Sequence, residues 1–123
     1  MANRSKQKGT SFETAVVNYL SGRNLGAFRL PLYGNKDRGD VDSGAGWNLE
    51  CKNVRTLALS EWVAEADAEA LNAGRPVAVV AKRVGKGDPG EAYVVMPLRV
   101  FVEHVLLRTS QSAQSAQSVT LGE

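Results

Sequence analysis

The residues best equipped for chemistry are Asp40 and, shortly after it, Glu50-Cys51-Lys52. On an extended strand alternate side chains share a face, so the Glu50 carboxylate and the Lys52 ammonium stand side by side. A preceding hairpin arm brings Asp40 alongside, or Asp42, which lies on the same strand face. Hard divalent cations such as Mg²⁺ take one or two carboxylates, with waters and substrate phosphates completing the shell. A lysine beside such a pair orients an attacking water and stabilises charge on a phosphoryl oxygen. These are the parts for phosphodiester hydrolysis. The same Glu-x-Lys pattern also serves as a surface ion pair worth ~0.2–1 kcal/mol, and spacing alone does not separate the two readings.

Other chemistries drop out on composition. A single cysteine, Cys51, makes no internal disulfide, and with a single histidine, His104, there is neither a zinc site nor a Cys/His catalytic pair. Cys51 reads as a small buried hydrophobe, His104 as structural, and Trp62, Tyr93 and Phe101 as core. At 123 residues, 43% hydrophobic and 23% charged, the chain is expected to be one soluble domain. No apolar run approaches the roughly 20 residues of a membrane span, and no apolar segment follows the N-terminus, so a cytoplasmic protein is expected. The net charge of +2 is unevenly spread, with nine Lys/Arg against five Asp/Glu up to Ala58 and six against eight beyond it. Arg4, Lys6, Lys8, Arg29, Lys36 and Arg38 are candidate phosphate contacts by their clustering, although each alone reads as a solvated charge.

The elements that must position these groups follow from periodicity. Phe12, Ala15, Val16, Tyr19 and Leu20 predict an amphipathic helix from Ser11 to Leu20, with Thr10 and Glu13 in capping-box register. A strand over Gly26–Leu32 leads into a basic, turn-rich loop. Asp40–Ser43 and Trp47–Val54 then predict a hairpin that sets Trp47, Leu49 and Cys51 on one face and Asn48, Glu50 and Lys52 on the other. Ser60 is placed to cap a helix over Glu61–Ala73 that Gly74 and Pro76 end. Val77–Lys82 predicts a central strand buried on both faces, Ala92–Met96 another strand, and Pro97 starts a last helix running to about Leu107. The order is αβββαββα, an α/β domain with a mixed central sheet flanked by helices over residues 1–108. The Gln/Ser/Ala repeat in 109–123 predicts a disordered, low-complexity tail.

Taken in order, these motifs resemble the PD-(D/E)xK nuclease superfamily and, within it, the archaeal-type Holliday junction resolvases. The resemblance runs from about Lys6 to Val102. It comprises Lys8-Gly9 and Glu13 on the first helix, then Arg29, Gly34 and Asp40. Glu50-Cys51-Lys52 follows, and after a helix the strand from Gly74-Arg75-Pro76-Val77 to Lys82. It implies a restriction-endonuclease-like fold and a Mg²⁺-dependent (or Mn²⁺-dependent) endonuclease leaving a 5′-phosphate and a 3′-hydroxyl. It implies Asp40, Glu50 and the Cys51 carbonyl as metal ligands and Lys52 as the water-positioning residue. Glu13 is a further catalytic candidate, equally readable as a helix cap, and Lys82 joins the DNA contacts. The expected substrate is branched DNA, above all four-way junctions. The alternatives are a repair or restriction-like nuclease on duplex DNA and a non-catalytic DNA-binding module. Because resolving a junction takes two opposed incisions, a two-fold symmetric homodimer is expected, with Val100, Val102, Val105 and Leu107 available for its interface.

Overall fold

A computed structural model describes residues 4–32, 34 and 36–121, with side chains for 7–32, 34 and 36–116. The order is α1 (Arg4–Ser21), β1 (Phe28–Arg29), β2 (Val41–Asp42), β3 (Asn48–Lys52), α2 (Leu59–Ala73), β4 (Val77–Ala81) and β5 (Tyr93–Val95). Helix α3 (Leu98–Phe101) then runs through a π-helical turn at Val102–Leu106 into α4 (Leu107–Leu121). The strands form one mixed sheet in the order β1-β2-β3-β4-β5, antiparallel except for the β3–β4 pair. The parallel pair exists because α2 carries the chain back to the starting edge of the sheet, as a strand–helix–strand crossover must. No helix among the described residues is long and apolar enough to cross a membrane.

Alternation along the strands assigns the two faces. On β4, Val77, Val79 and Ala81 pack with Trp62 and Ala66 of α2. Val80 of the same strand packs with Phe12 and Val16 of α1, and Leu49 and Cys51 of β3 join that second cluster. All five β4 residues are buried, as their continuous apolar run requires. The strand is internal rather than at the middle, which β3 occupies. Parallel register puts Glu50 beside Val79 and Lys52 beside Ala81, so both polar side chains enter the layer beneath α2.

Several expectations are corrected. Helix α1 begins at Arg4 and places Glu13 well inside it, so Thr10 and Glu13 form no capping box. Helix α2 begins at Leu59 with Ala58 at its N-cap and no side-chain cap, so Ser60 lies within the first turn. Its C-terminus behaves as expected: Gly74 adopts φ 68° and donates its N–H to the Ala70 carbonyl. Tyr93, on the edge strand β5, and Phe101, on α3, are exposed rather than core. The segment expected to be a disordered tail is helical as far as Leu121. Its Ala and Gln residues, free of Gly and Pro, extend a helix already nucleated by α3, so each added residue avoids the nucleation cost. Residues 107–116 are exposed throughout, so this stretch of the helix buries no apolar face.

Candidate functional site

Backbone geometry at one glycine sets the position of Asp40. Gly39 has φ 100°, and a Cβ there would stand 3.3 Å from the Leu49 carbonyl oxygen, so only glycine turns the chain this close to β3. The Asp37 carboxylate accepts the Gly39 N–H at 2.9 Å, and Asn48 and Asn72 donate to the carbonyls of Arg38 and Asp37 at 2.9 and 2.8 Å. The loop is thereby tied to both β3 and α2. Asp40 donates its N–H to Leu49 O at 2.9 Å, and its Oδ2 accepts the Cys51 N–H at 2.8 Å. Extending the Val41–Leu49 register by one residue sets Asp40 across from Glu50.

Glu50 is therefore met by Asp40 from β2's side and by Lys52 from its own strand. Lys52 Nζ lies 3.5 Å from Glu50 Oε1. Glu50 is buried at 5% exposure, and its second oxygen has no hydrogen-bond partner. Burial pushes the Glu50 carboxyl up to about 9, reinforced by Glu69 and Glu65 and only partly offset by Lys52. Burial, followed by the Glu50 charge, pushes Asp40 up to about 8 against the stabilising Cys51 N–H. Burial pulls the Lys52 ammonium down, but Glu65 and Glu50 outweigh it and hold Lys52 above its ordinary value. Two acids that resist ionising side by side, next to a firmly charged lysine, form a site whose protonation is set by any cation it receives.

Glu13 faces this group from α1, near enough for its charge to raise Asp40. Its Oε2 accepts from Arg29 Nη2 at 2.8 Å and from Nε at 3.1 Å. Arg29, expected to meet phosphate, is thus engaged within the protein. Asp42, the alternative to Asp40, points elsewhere: it accepts from Arg75 at 3.1 Å and from the Gly44 N–H at 2.9 Å. Cys51 packs its side chain into the α1 cluster, and burial pushes its thiol well up, which suits an inert hydrophobe. His104 meets the Trp47 ring edge-on at 5.6 Å, a structural contact.

Basic residues gather at the carboxyl end of the parallel strands. Lys8, Arg55, Lys82 and Arg83, with Asn53, line a concavity of about 150 Å³. The Lys82 N–H donates to the Lys52 carbonyl at 2.9 Å, which joins this basic pocket to the strand bearing the acids. Lys36 is exposed and Arg38 half-buried on the loop before Asp40. The side chains of Arg4 and Lys6 lie outside the described residues. A concavity of about 740 Å³ opens at the other end of β4 among Arg75, Val77, Arg99, His104 and Arg108, and none of the expected catalytic residues lines it.

Three acids at the site went unread in the sequence. Asp37, Glu65 and Glu69 bring carboxylate oxygens within 4.8 Å of one another and of Glu50. Glu69 is 2% exposed, with neither oxygen hydrogen-bonded. Burial pushes it up to about 7, with Asp37 among the neighbours that raise it. The available signal was the Glu61, Glu65, Glu69 run on α2, a like-charge i, i+4 series that costs helix stability unless something compensates it. Compared with protein-family models, curated proteins and solved structures, the chain matches none.

Proposed function

We propose that the protein is a divalent-metal-dependent DNA endonuclease with a restriction-endonuclease-like fold, acting on branched DNA and above all on four-way junctions. The observation that carries the reading is the placement of Asp40 across from Glu50 of β3, whose carboxylate also lies 3.5 Å from Lys52 Nζ. The element order and the parallel β3–β4 pair at the heart of a mixed sheet support the same reading.

The residues fit the ion this chemistry needs. Glu50 carries a buried oxygen without a partner, and Asp40 uses one carboxylate oxygen on Cys51 N–H and keeps the other. Asp40, Glu50 and the Cys51 carbonyl would hold Mg²⁺ or Mn²⁺, which supplies Lewis acidity toward a scissile phosphate. Lys52 orients an attacking water for in-line displacement and stabilises charge on the phosphoryl oxygen. Glu13, held by Arg29, adds negative charge that keeps the site cation-seeking. Lys8, Arg55, Lys82 and Arg83 supply positive charge for flanking phosphates.

Resolution of a junction needs two opposed cuts, so the active species is a two-fold homodimer. Val100, expected at its interface, is buried at 8% in its own chain. The exposed apolar residues Tyr93 and Val94 of β5 and Leu98 and Phe101 of α3 are the better candidates. The deciding experiment incubates the purified chain with labelled four-way junction, flap and linear duplex, in Mg²⁺ or EDTA. Paired nicks in the junction that require Mg²⁺ support the reading. Cleavage of linear duplex alone points to a general nuclease, and binding without nicks under any metal refutes catalysis.

A further inference from the structure

We infer that Asp37, Glu50, Glu65 and Glu69 form a second site, for a hard divalent cation such as Ca²⁺. One oxygen from each residue lies within 4.8 Å of the others. Carboxylate oxygens gathered this closely suit a hard divalent cation, which takes oxygen ligands.

Burial supplies the independent argument. Glu69 is 2% exposed and Glu50 5%, and three of their four oxygens are buried without any hydrogen-bond partner. Orphaned acceptors of this kind carry their full desolvation cost unless a cation or a proton meets them. Lys52 reaches Glu65 at 2.9 Å and Glu50 at 3.5 Å, and its ammonium makes no hydrogen bond to the buried oxygens of Glu69.

The elements holding these groups are fixed. Glu50 sits in the middle of β3, Glu65 and Glu69 are one turn apart on α2, and Asp37 is anchored by the bond from Asn72 to its carbonyl. An ion here draws Glu65 and Glu50 away from Lys52. It thereby loosens the ammonium that the nuclease reading needs at the phosphate, giving the site a built-in response to Ca²⁺.

The inference shares Glu50 with the nuclease site but does not rest on DNA cleavage, and its readout is ion binding without DNA. The full chain is titrated with Ca²⁺ by calorimetry and with Tb³⁺ by tryptophan-sensitised luminescence, alongside E69Q, D37N and D40N variants whose folding is checked by circular dichroism. The expected result is one saturable Ca²⁺ per chain that weakens at least tenfold in E69Q and in D37N but persists in D40N. Unchanged affinity in folded E69Q or D37N overturns the inference, as does the absence of saturable Ca²⁺ binding in the wild type. Loss of all ion binding in D40N alone overturns it while leaving the nuclease site standing.

Discussion

Lys52 is bound more closely to Glu65 of α2, at 2.9 Å, than to Glu50 of its own strand, at 3.5 Å. The lysine that the proposed cleavage would use at the phosphate is thus parked against an acid that is not part of the Asp40–Glu50 pair. Lys52→Ala and Glu50→Gln should each lower cleavage by far more than tenfold, a loss equivalent to more than about 1.4 kcal/mol of barrier, with DNA binding retained. Glu65→Gln should behave differently. Removing a charge that raises Lys52 should shift the alkaline limb of the pH–rate profile to lower pH. Single-turnover cleavage across pH measures both effects, and an unmoved alkaline limb in the Glu65 variant would show that the pairing has no bearing on Lys52.

The acid cluster also makes folding stability depend on pH. In EDTA the folded chain holds Glu69, Asp40 and Glu50 protonated up to about 7, 8 and 9, whereas in the unfolded chain they ionise near the ordinary range of about 4. Between those limits the native state binds more protons, so the stability these groups contribute is fully present below about pH 4 and drains away as pH rises through 7 to 9. Glu69→Gln should match the wild type at pH 5 and melt on the order of 10 °C higher at pH 9, corresponding to roughly 3 kcal/mol. Melting curves that run parallel across this range would contradict the burial argument.

Lys8, Arg55 and Lys82 line the basic pocket, and none of their side chains pairs with an acid among the described residues. Changing all three to Gln should weaken binding to every DNA form and flatten the salt dependence. Each lost phosphate contact reduces the slope of log K against log salt by about 0.9 on duplex DNA. Arg29→Gln should leave that slope nearly unchanged, because its guanidinium is committed to Glu13. A slope that does not move in the triple variant would place the DNA on another face.

What the sequence made legible is what short-range periodicity encodes. Strand alternation over Asn48–Lys52 put Glu50 and Lys52 on one face, and the apolar run at Val77–Ala81 announced a buried strand; both appear as read. Glu65, Glu69 and Asp37 stayed hidden because their role depends on which turn of α2 lies over β3, a tertiary fact without a local signature. Thr10 and Glu13 fitted a capping box, yet the helix starts at Arg4. Capping propensity is a small local term that extension of a helix by further turns readily overrides. The helical course of 107–121 was missed for a related reason, since low complexity argues against a buried core but not against propagation from an existing helix.

The homodimer is the most consequential prediction, because under the proposed function one Asp40–Glu50–Lys52 site would cut one strand at a time. Val94 on β5 is 60% exposed and Leu98 on α3 is 73% exposed; with Phe101 they line one concavity, and β5 has an unpaired outer edge among the described residues. Isolated exposed apolar residues are ordinary, but a group sharing one concavity beside a free strand edge is a natural seat for a second copy. Two-fold pairing there buries the same residues on both chains and leaves Lys52, on the third strand in, clear of the contact. Val94→Lys with Leu98→Glu should convert a dimer into a monomer by light scattering. The monomer should still nick flaps in Mg²⁺, because each site is complete within one chain, but it should lose the paired incisions that linearise a cruciform plasmid. A wild-type chain that scatters as a monomer at cleavage-competent concentration, or a double variant that still linearises the cruciform, would remove the paired-site mechanism and leave a single-strand nuclease.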